Sequence, residues 1–285
     1  MKHSMKNKVY IFGSGSTSRF ILPAVQEQYE VIGFVDNDSK RWESQLEGFA
    51  IESPEVLNDA VFDGIVIASL PGLDVITKQL LDAGIPKDKI IREFVETSVR
   101  SRIVFLEKWG EICAENKKPG SIAEGGVFQG EFAKEMNRTF PEKTLYLFDT
   151  FSGFDRRDIV IETNNNFSEY EEGHLNITSN ELVLQKMLHP EKIVIRKGYF
   201  PETTEGIEDT FCFVNLDFDL YQPILAGLEF FYPRMVSGGI ILIHDYFSEG
   251  YKGVKQAVSE FDKKENGINL FPIGDGVSIG IYCSR

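Results

Sequence analysis

Residues 211–246 read FCFVNLDFDLYQPILAGLEFFYPRMVSGGIILIHDY. An apolar run ends in two carboxylates, Asp217 and Asp219, and a helical stretch follows that is expected to stop at Ser237-Gly238-Gly239. A second apolar run, Ile240–Ile243, ends in His244-Asp245-Tyr246. Short runs rich in β-branched and aromatic residues and bounded by glycine read as buried parallel strands. A right-handed crossover puts both strand C-termini on one sheet edge, where open α/β sheets bind ligands. Asp217, Asp219, His244 and Asp245 are therefore expected to converge. Carboxylates and an imidazole gathered there suit a divalent metal or acid–base chemistry. The simpler alternative is that each carboxylate only caps the helix after it.

Working outward, residues 120–285 continue the pattern. Ser121–Ala123 begins a strand, Glu124-Gly125-Gly126-Val127-Phe128-Gln129-Gly130 forms a turn, Glu131–Phe140 is helical, and Thr144–Phe148 is a strand ending at Asp149. Asp149 stands 23 residues after Gly126 (149 − 126), a spacing that suits an acid accepting from ribose hydroxyls. Gly126 is expected to let the backbone approach a ligand, so that a side chain there would clash with it. The turn lacks the GxGxxG spacing of a dinucleotide site and better fits S-adenosylmethionine, which has no pyrophosphate to cradle. The polar stretch 155–176 reads as a lid or disordered loop. Thr178 and Glu181 read as a capping box opening a helix to Leu188, and His189 as a partner for its C-terminal dipole. Lys192–Ile195 is a strand followed by Lys197-Gly198-Tyr199-Phe200, whose aromatic rings would stack on adenine or pack in the core. Phe230, Phe231 and Tyr232 read as core, and Asn269–Pro272 with Val277–Cys283 as a hairpin.

Residues 1–98 read as a small Rossmann-like unit. Lys8–Phe12, the turn Gly13-Ser14-Gly15-Ser16-Thr17-Ser18, a helix over Arg19–Gln28 capped by Ser18, and a strand Val31–Val35 ending at Asp36 follow the order of a dinucleotide fingerprint. Its third glycine is replaced by Ser18. Residues 99–119 form a connecting helix, with Ile103, Leu106, Trp109 and Ile112 at near-helical spacing. VYIFGSGSTSR, VIGFVDND, GIVIAS and AGIPKDKII resemble the small domain at the front of sugar-modifying acyltransferases. The alternatives for this part are nucleotide-sugar binding, and packing or scaffolding of a homo-oligomer.

In the second part, EGGVFQGEFA, LYLFDTFSGF, KGYFPET and NLDFDLYQPILAGLEFFYPRMVSGGIILIHDY are together similar to the macrocin-type (TylF) sugar O-methyltransferases. The resemblance implies an α/β protein of two Rossmann-like domains. The second would be a class I S-adenosylmethionine methyltransferase sheet ending in an antiparallel hairpin. It implies S-adenosylmethionine as donor, a small sugar-type acceptor and a divalent metal, magnesium or manganese. Glu124, Gly126 and Asp149 fall at donor-binding positions, with Gly125, Phe128, Thr150 and Phe151 in the same two turns. Asp217 falls at a metal-binding acid that also serves as base. His244 and Asp245 fall where the family has two adjacent aspartates, so His244 departs from the pattern and draws the metal preference toward manganese, cobalt or zinc.

Composition bounds the rest. The net charge is −14 (30 − 44), which disfavours nucleic acid and anionic membrane as partners. Three scattered cysteines, Cys113, Cys212 and Cys283, form no zinc motif and suit a reducing, cytoplasmic setting. No apolar run is long enough to span a membrane. The competing reading is a nucleotide-sugar-binding protein without methyl transfer. An NAD-linked sugar enzyme built on the first part ranks below both, because that part lacks a Tyr-x-x-x-Lys pair and the third glycine.

Overall fold

A computed structural model describes residues 6–69 and 72–284. The chain divides into two compact units, Met1–Arg100 and Ser101–Arg285.

In the first unit the elements are β1 (Lys8–Phe12), α1 (Ser16–Gln28), β2 (Glu30–Val35), β3 (Gln45–Leu46), β4 (Phe49–Glu52), β5 (Gly64–Ile67), α2 (Leu73–Asp82) and β6 (Ile90–Ile91). The sheet order is β3-β4-β2-β1-β5-β6, parallel except for the β3–β4 pair. Alternate residues of β1 enter two apolar clusters, Val9 and Ile11 in one, Tyr10 and Phe12 in the other. That explains its uninterrupted apolar run: both faces are covered. Ser18 is not the cap of α1. The helix starts earlier, after Gly15, and the Ser18 hydroxyl donates instead to the Gly13 carbonyl at 2.7 Å.

The helix α3 (Glu93–Glu115) begins six residues before the expected start at residue 99. In the second unit follow β7 (Ser121–Gly125), α4 (Glu131–Thr139), β8 (Leu145–Asp149), α5 (Arg156–Asn165), α6 (Asn180–Leu184), β9 (Ile193–Lys197), β10 (Phe211–Leu216), α7 (Tyr221–Phe231), β11 (Met235–Ile243), α8 (Lys252–Glu265), β12 (Asn269–Pro272) and β13 (Ile279–Cys283). The seven-stranded sheet runs β12-β13-β11-β10-β7-β8-β9, with β13 antiparallel to both neighbours. Every residue of β10 is buried. Phe211, Phe213 and Phe231 are wholly buried, each worth about 1.5–3 kcal/mol of burial.

Four expectations change here. The helix after Asp219 ends at Phe231, and Ser237-Gly238-Gly239 lie inside β11, where Gly238 at φ +67° marks an irregular register. The polar stretch after residue 155 begins with a helix, α5, capped by the Asp155 carboxylate, which accepts from Arg157 N. Its inward face carries acids rather than apolar groups: Asp158 and Glu162, four residues apart, are both buried. The cap of α6 is Ser179, not Thr178, and α6 stops at Leu184. His189 precedes a 3-10 turn and exchanges hydrogen bonds with the Asn137 amide through its backbone. Among the described residues no helix is long and apolar enough to cross a membrane.

Candidate active site

Strand register builds the site. Gly125 pairs with Phe148 and with Leu216, and Leu216 pairs with Ile243. The next residue on each strand, Gly126, Asp149, Asp217 and His244, therefore emerges side by side at the C-terminal edge. Backbone bonds hold that row: Asp217 N donates to Gly125 O (2.7 Å), Gly126 N to Phe148 O (2.9 Å) and His244 N to Leu216 O (3.0 Å).

Asp217 is the hub. Its Oδ1 lies 3.0 Å from His244 Nδ1 and its Oδ2 accepts from Arg102 Nη2 at 2.9 Å. His244 Nδ1 is also 2.7 Å from Asp245 Oδ2. Adjacent strand residues face opposite ways. His244 and Asp245 meet because the chain leaves the extended form at Asp245, φ +56°. Asp219, at φ +64°, stands against Asp245 and Asp217. The sequence-based convergence of these four residues is thus what the strand ends produce.

Burial opposes ionisation of Asp217, but the His244 and Arg102 charges outweigh it and hold the carboxyl well below the usual range. Burial would likewise lower the His244 pKa, yet Asp217 and Asp245 carry the imidazole up to about 10. Burial first, then the Asp245 and Asp217 charges, push Asp219 well above its ordinary value. His244 and Arg102 thus keep Asp217 ionised, as a cation ligand must be.

Arg102 was not legible as a site residue, although a signal existed. It shares a helical face with Leu106, Trp109 and Cys113, so a charge stood on an apolar stripe. Its Nη2 also donates to Asn215 Oδ1 (2.8 Å), and Asn215 donates to Glu124 Oε1 (2.9 Å). Glu124 is buried with Oε2 unpartnered. Burial, reinforced by Asp217, raises its pKa well above the carboxylate norm.

On the donor side, Asp149 accepts from Val127 N (2.7 Å), Phe128 N (2.9 Å) and Phe151 N (2.6 Å). It ties the glycine turn to its own loop and retains acceptor capacity for about one more donor. Gly126, Phe128, Asp149 and Thr150 line a cavity together with Asp158, Gly198, Tyr199, Asp217 and Asp219. Phe151 turns into the core instead. Gly125 is sealed behind the site, since a Cβ there would overlap the Phe218 ring. Gly126 has a different reason from the one expected. At φ +81°, a Cβ would overlap the Asp217 backbone before meeting any ligand.

The donor set fits a divalent cation: Asp217, His244 and Asp245 each offer a ligand atom, all within 4.8 Å of one another. Imidazole must lose its proton to ligate. The cavity fits an adenosyl donor, because it runs across four strand ends with an acid at Asp149 and the orphaned Glu124 oxygen behind the glycine turn.

A family model described as macrocin-O-methyltransferase (TylF) matches residues 95–279, and a C2185-like N-terminal model matches residues 5–91. The latter description is not specific to acyltransferases. The chain is 25% identical over 158 residues to the mycinamicin III 3''-O-methyltransferase of Micromonospora griseorubida, covering 51% of this chain and 62% of that protein. Among solved structures, the O-methyltransferase NovP aligns with a TM-score of 0.56 at 21% identity, over 75% of this chain and 98% of that one. CalS11, a calicheamicin methyltransferase, aligns at 0.55 and 18% identity, over 85% and 98%. The second unit has the class I Rossmann-like methyltransferase fold.

Proposed function

The chain belongs to the macrocin-O-methyltransferase (TylF) family, and on that premise we propose that it methylates a sugar hydroxyl with S-adenosylmethionine, assisted by magnesium or manganese. The observation that carries the reading is the single row Gly126–Asp149–Asp217–His244, of which the first three line one cavity. The relatives named above act, by their descriptions, on mycinamicin and calicheamicin, which supports a glycosyl acceptor.

When bound, the donor supplies an electrophilic methyl group, and the cation would lower the pKa of a coordinated hydroxyl. Asp217, His244 and Asp245 are the residues that would hold the cation. Arg102 fixes the Asp217 rotamer from the opposite oxygen. The acceptor oxygen bonds to the methyl carbon as the carbon–sulfur bond breaks, and its proton passes to a carboxylate. Asp219, which lines the cavity beside Asp217, is placed to take that proton, while Asp217 orients and ligates. Glu124, Gly126, Phe128, Asp149 and Thr150 would hold the donor, supplying the proximity that the transfer needs. The three cysteines are buried and not joined in disulfides, which fits work in a reducing compartment.

Calorimetry with S-adenosylhomocysteine tests the reading. Micromolar binding is expected, weakened by Asp149→Asn. Methyl transfer from labelled S-adenosylmethionine to nucleoside-diphosphate hexoses should need added magnesium or manganese. Absence of donor binding at millimolar ligand would overturn the proposal.

A further inference from the structure

The cavity crosses the strand ends in the order Asp217 (β10), Gly126 (β7), Asp149 (β8) and Gly198 (β9). With the reacting atoms beside Asp217 and the ribose beside Asp149, the base falls at the β9 end. Two aromatic residues stand there, and neither is free to sandwich it. Phe200 is 4% exposed within the core, and the Arg157 guanidinium lies 3.4 Å from the Tyr199 ring centroid. What the β9 end does offer is a carboxyl group. Asp158 lines the cavity from α5, is 5% exposed, and has Oδ1 fixed by the Tyr199 hydroxyl at 2.8 Å. A buried acid held by a single hydroxyl is costly unless something else meets it. Burial raises its pKa only to about 6, so it is ionised at neutral pH.

We infer that Asp158 reads the base of the donor: the carboxylate oxygen not held by Tyr199 accepts from the exocyclic amino group of adenine. This rests on S-adenosylmethionine being the donor. The amino group offers N–H donors, whereas a 6-oxo purine presents a carbonyl that the carboxylate repels. Asp158 is thus a specificity residue supplied by a helix that carries no strand-end motif. Its neighbour Arg157, paired with Asp155 and Glu202 and covering Tyr199, keeps the Tyr199 hydroxyl aimed at it.

The test compares S-adenosylhomocysteine with S-inosylhomocysteine by calorimetry on the full chain. Wild type should prefer the adenosyl compound by at least about tenfold, as expected for a charge-assisted hydrogen bond. Asp158→Asn, whose amide offers both a donor and an acceptor, should bring the two affinities to within about threefold. An unchanged preference in that variant overturns the assignment, because a merely structural Asp158 would weaken both ligands alike. If wild type binds neither compound, the donor reading itself fails and this one with it. Should circular dichroism show Asp158→Asn unfolded, Tyr199→Phe decides. Loss of that hydroxyl should reduce the preference about threefold or more while the melting temperature holds, and an unaltered preference overturns the assignment.

Discussion

The same local device occurs twice in this chain. Gly13 to Asp36 and Gly126 to Asp149 each span 23 residues (36 − 13, 149 − 126), and both glycines have positive φ, +104° and +81°. In each, the acid accepts from the turn. Asp36 Oδ2 takes Ser14 N at 2.8 Å and the Ser14 hydroxyl at 2.5 Å, and its Oδ1 takes Asp38 N at 2.9 Å. Asp149 takes three backbone N–H groups. The difference lies in the neighbouring strand. Beyond β5, Ala68 and Ser69 stand beside Gly13, and the Ser69 hydroxyl accepts from Gly72 N. Beyond β10 stand Asp217 and the His244–Asp245 pair. A glycine turn with an acid 23 residues on is therefore a backbone lock in both units. Chemistry gathers only where the adjoining strand ends deliver carboxylates and a cation partner.

The sharpest way to break this comparison is catalytic. Asp217→Asn removes a cation ligand and should lower methyl transfer about 100-fold or more, with S-adenosylhomocysteine affinity held within about threefold. Asp36→Asn should leave turnover unchanged. Equal losses in a radiolabel transfer assay would mean that the first unit takes part in the chemistry.

Next come the glycines, read by urea unfolding. The two tryptophans, Trp42 and Trp109, report one unit each. Gly126→Ala forces overlap with the Asp217 backbone and should cost more than about 3 kcal/mol on the Trp109 signal. Gly13→Ala meets Ala68 only at 3.4 Å and should cost about 1–2 kcal/mol on Trp42, the strain of its positive φ. Similar costs would dissolve the distinction.

A smaller effect concerns pH. His244 is raised from 6.5 to about 10. The folded state then holds the proton more tightly, so its contribution is complete below about pH 6.5 and disappears as pH climbs through 10. Without added metal, the wild-type melting temperature should exceed that of His244→Gln by a gap that narrows from pH 7 to pH 10. A constant gap would show that the imidazole is not charged against Asp217. The smallest effect is Ser14→Ala. It removes one hydroxyl bond to Asp36 and should cost about 1 kcal/mol on the Trp42 signal, leaving donor affinity unaltered. Weaker donor binding in this variant would tie the first turn to the site.

Sequence alone determined the strand–helix alternation, the antiparallel end of the second sheet, and the meeting of Asp217, Asp219, His244 and Asp245. Those follow from short-range periodicity and from the handedness of crossovers, both written in consecutive residues. Tertiary structure decided what long-range contacts alone can decide. Arg102 reaches Asp217 across 115 residues, so a charge on an apolar stripe marks it while no local pattern names its partner. The helix α5 was hidden because its inward positions, Asp158 and Glu162, are acids, each with one oxygen held, by the Tyr199 hydroxyl and by Tyr221 N. A periodicity of apolar residues cannot mark a face that is buried by polar partners. Gly126 looked like room for a ligand, yet only the register of β7 against β10 reveals that the Asp217 backbone fills the space. The ionisation of Asp217 likewise depends on Arg102 from α3 and on His244 just beyond β11, because a carboxyl's pKa is set by its neighbours in space.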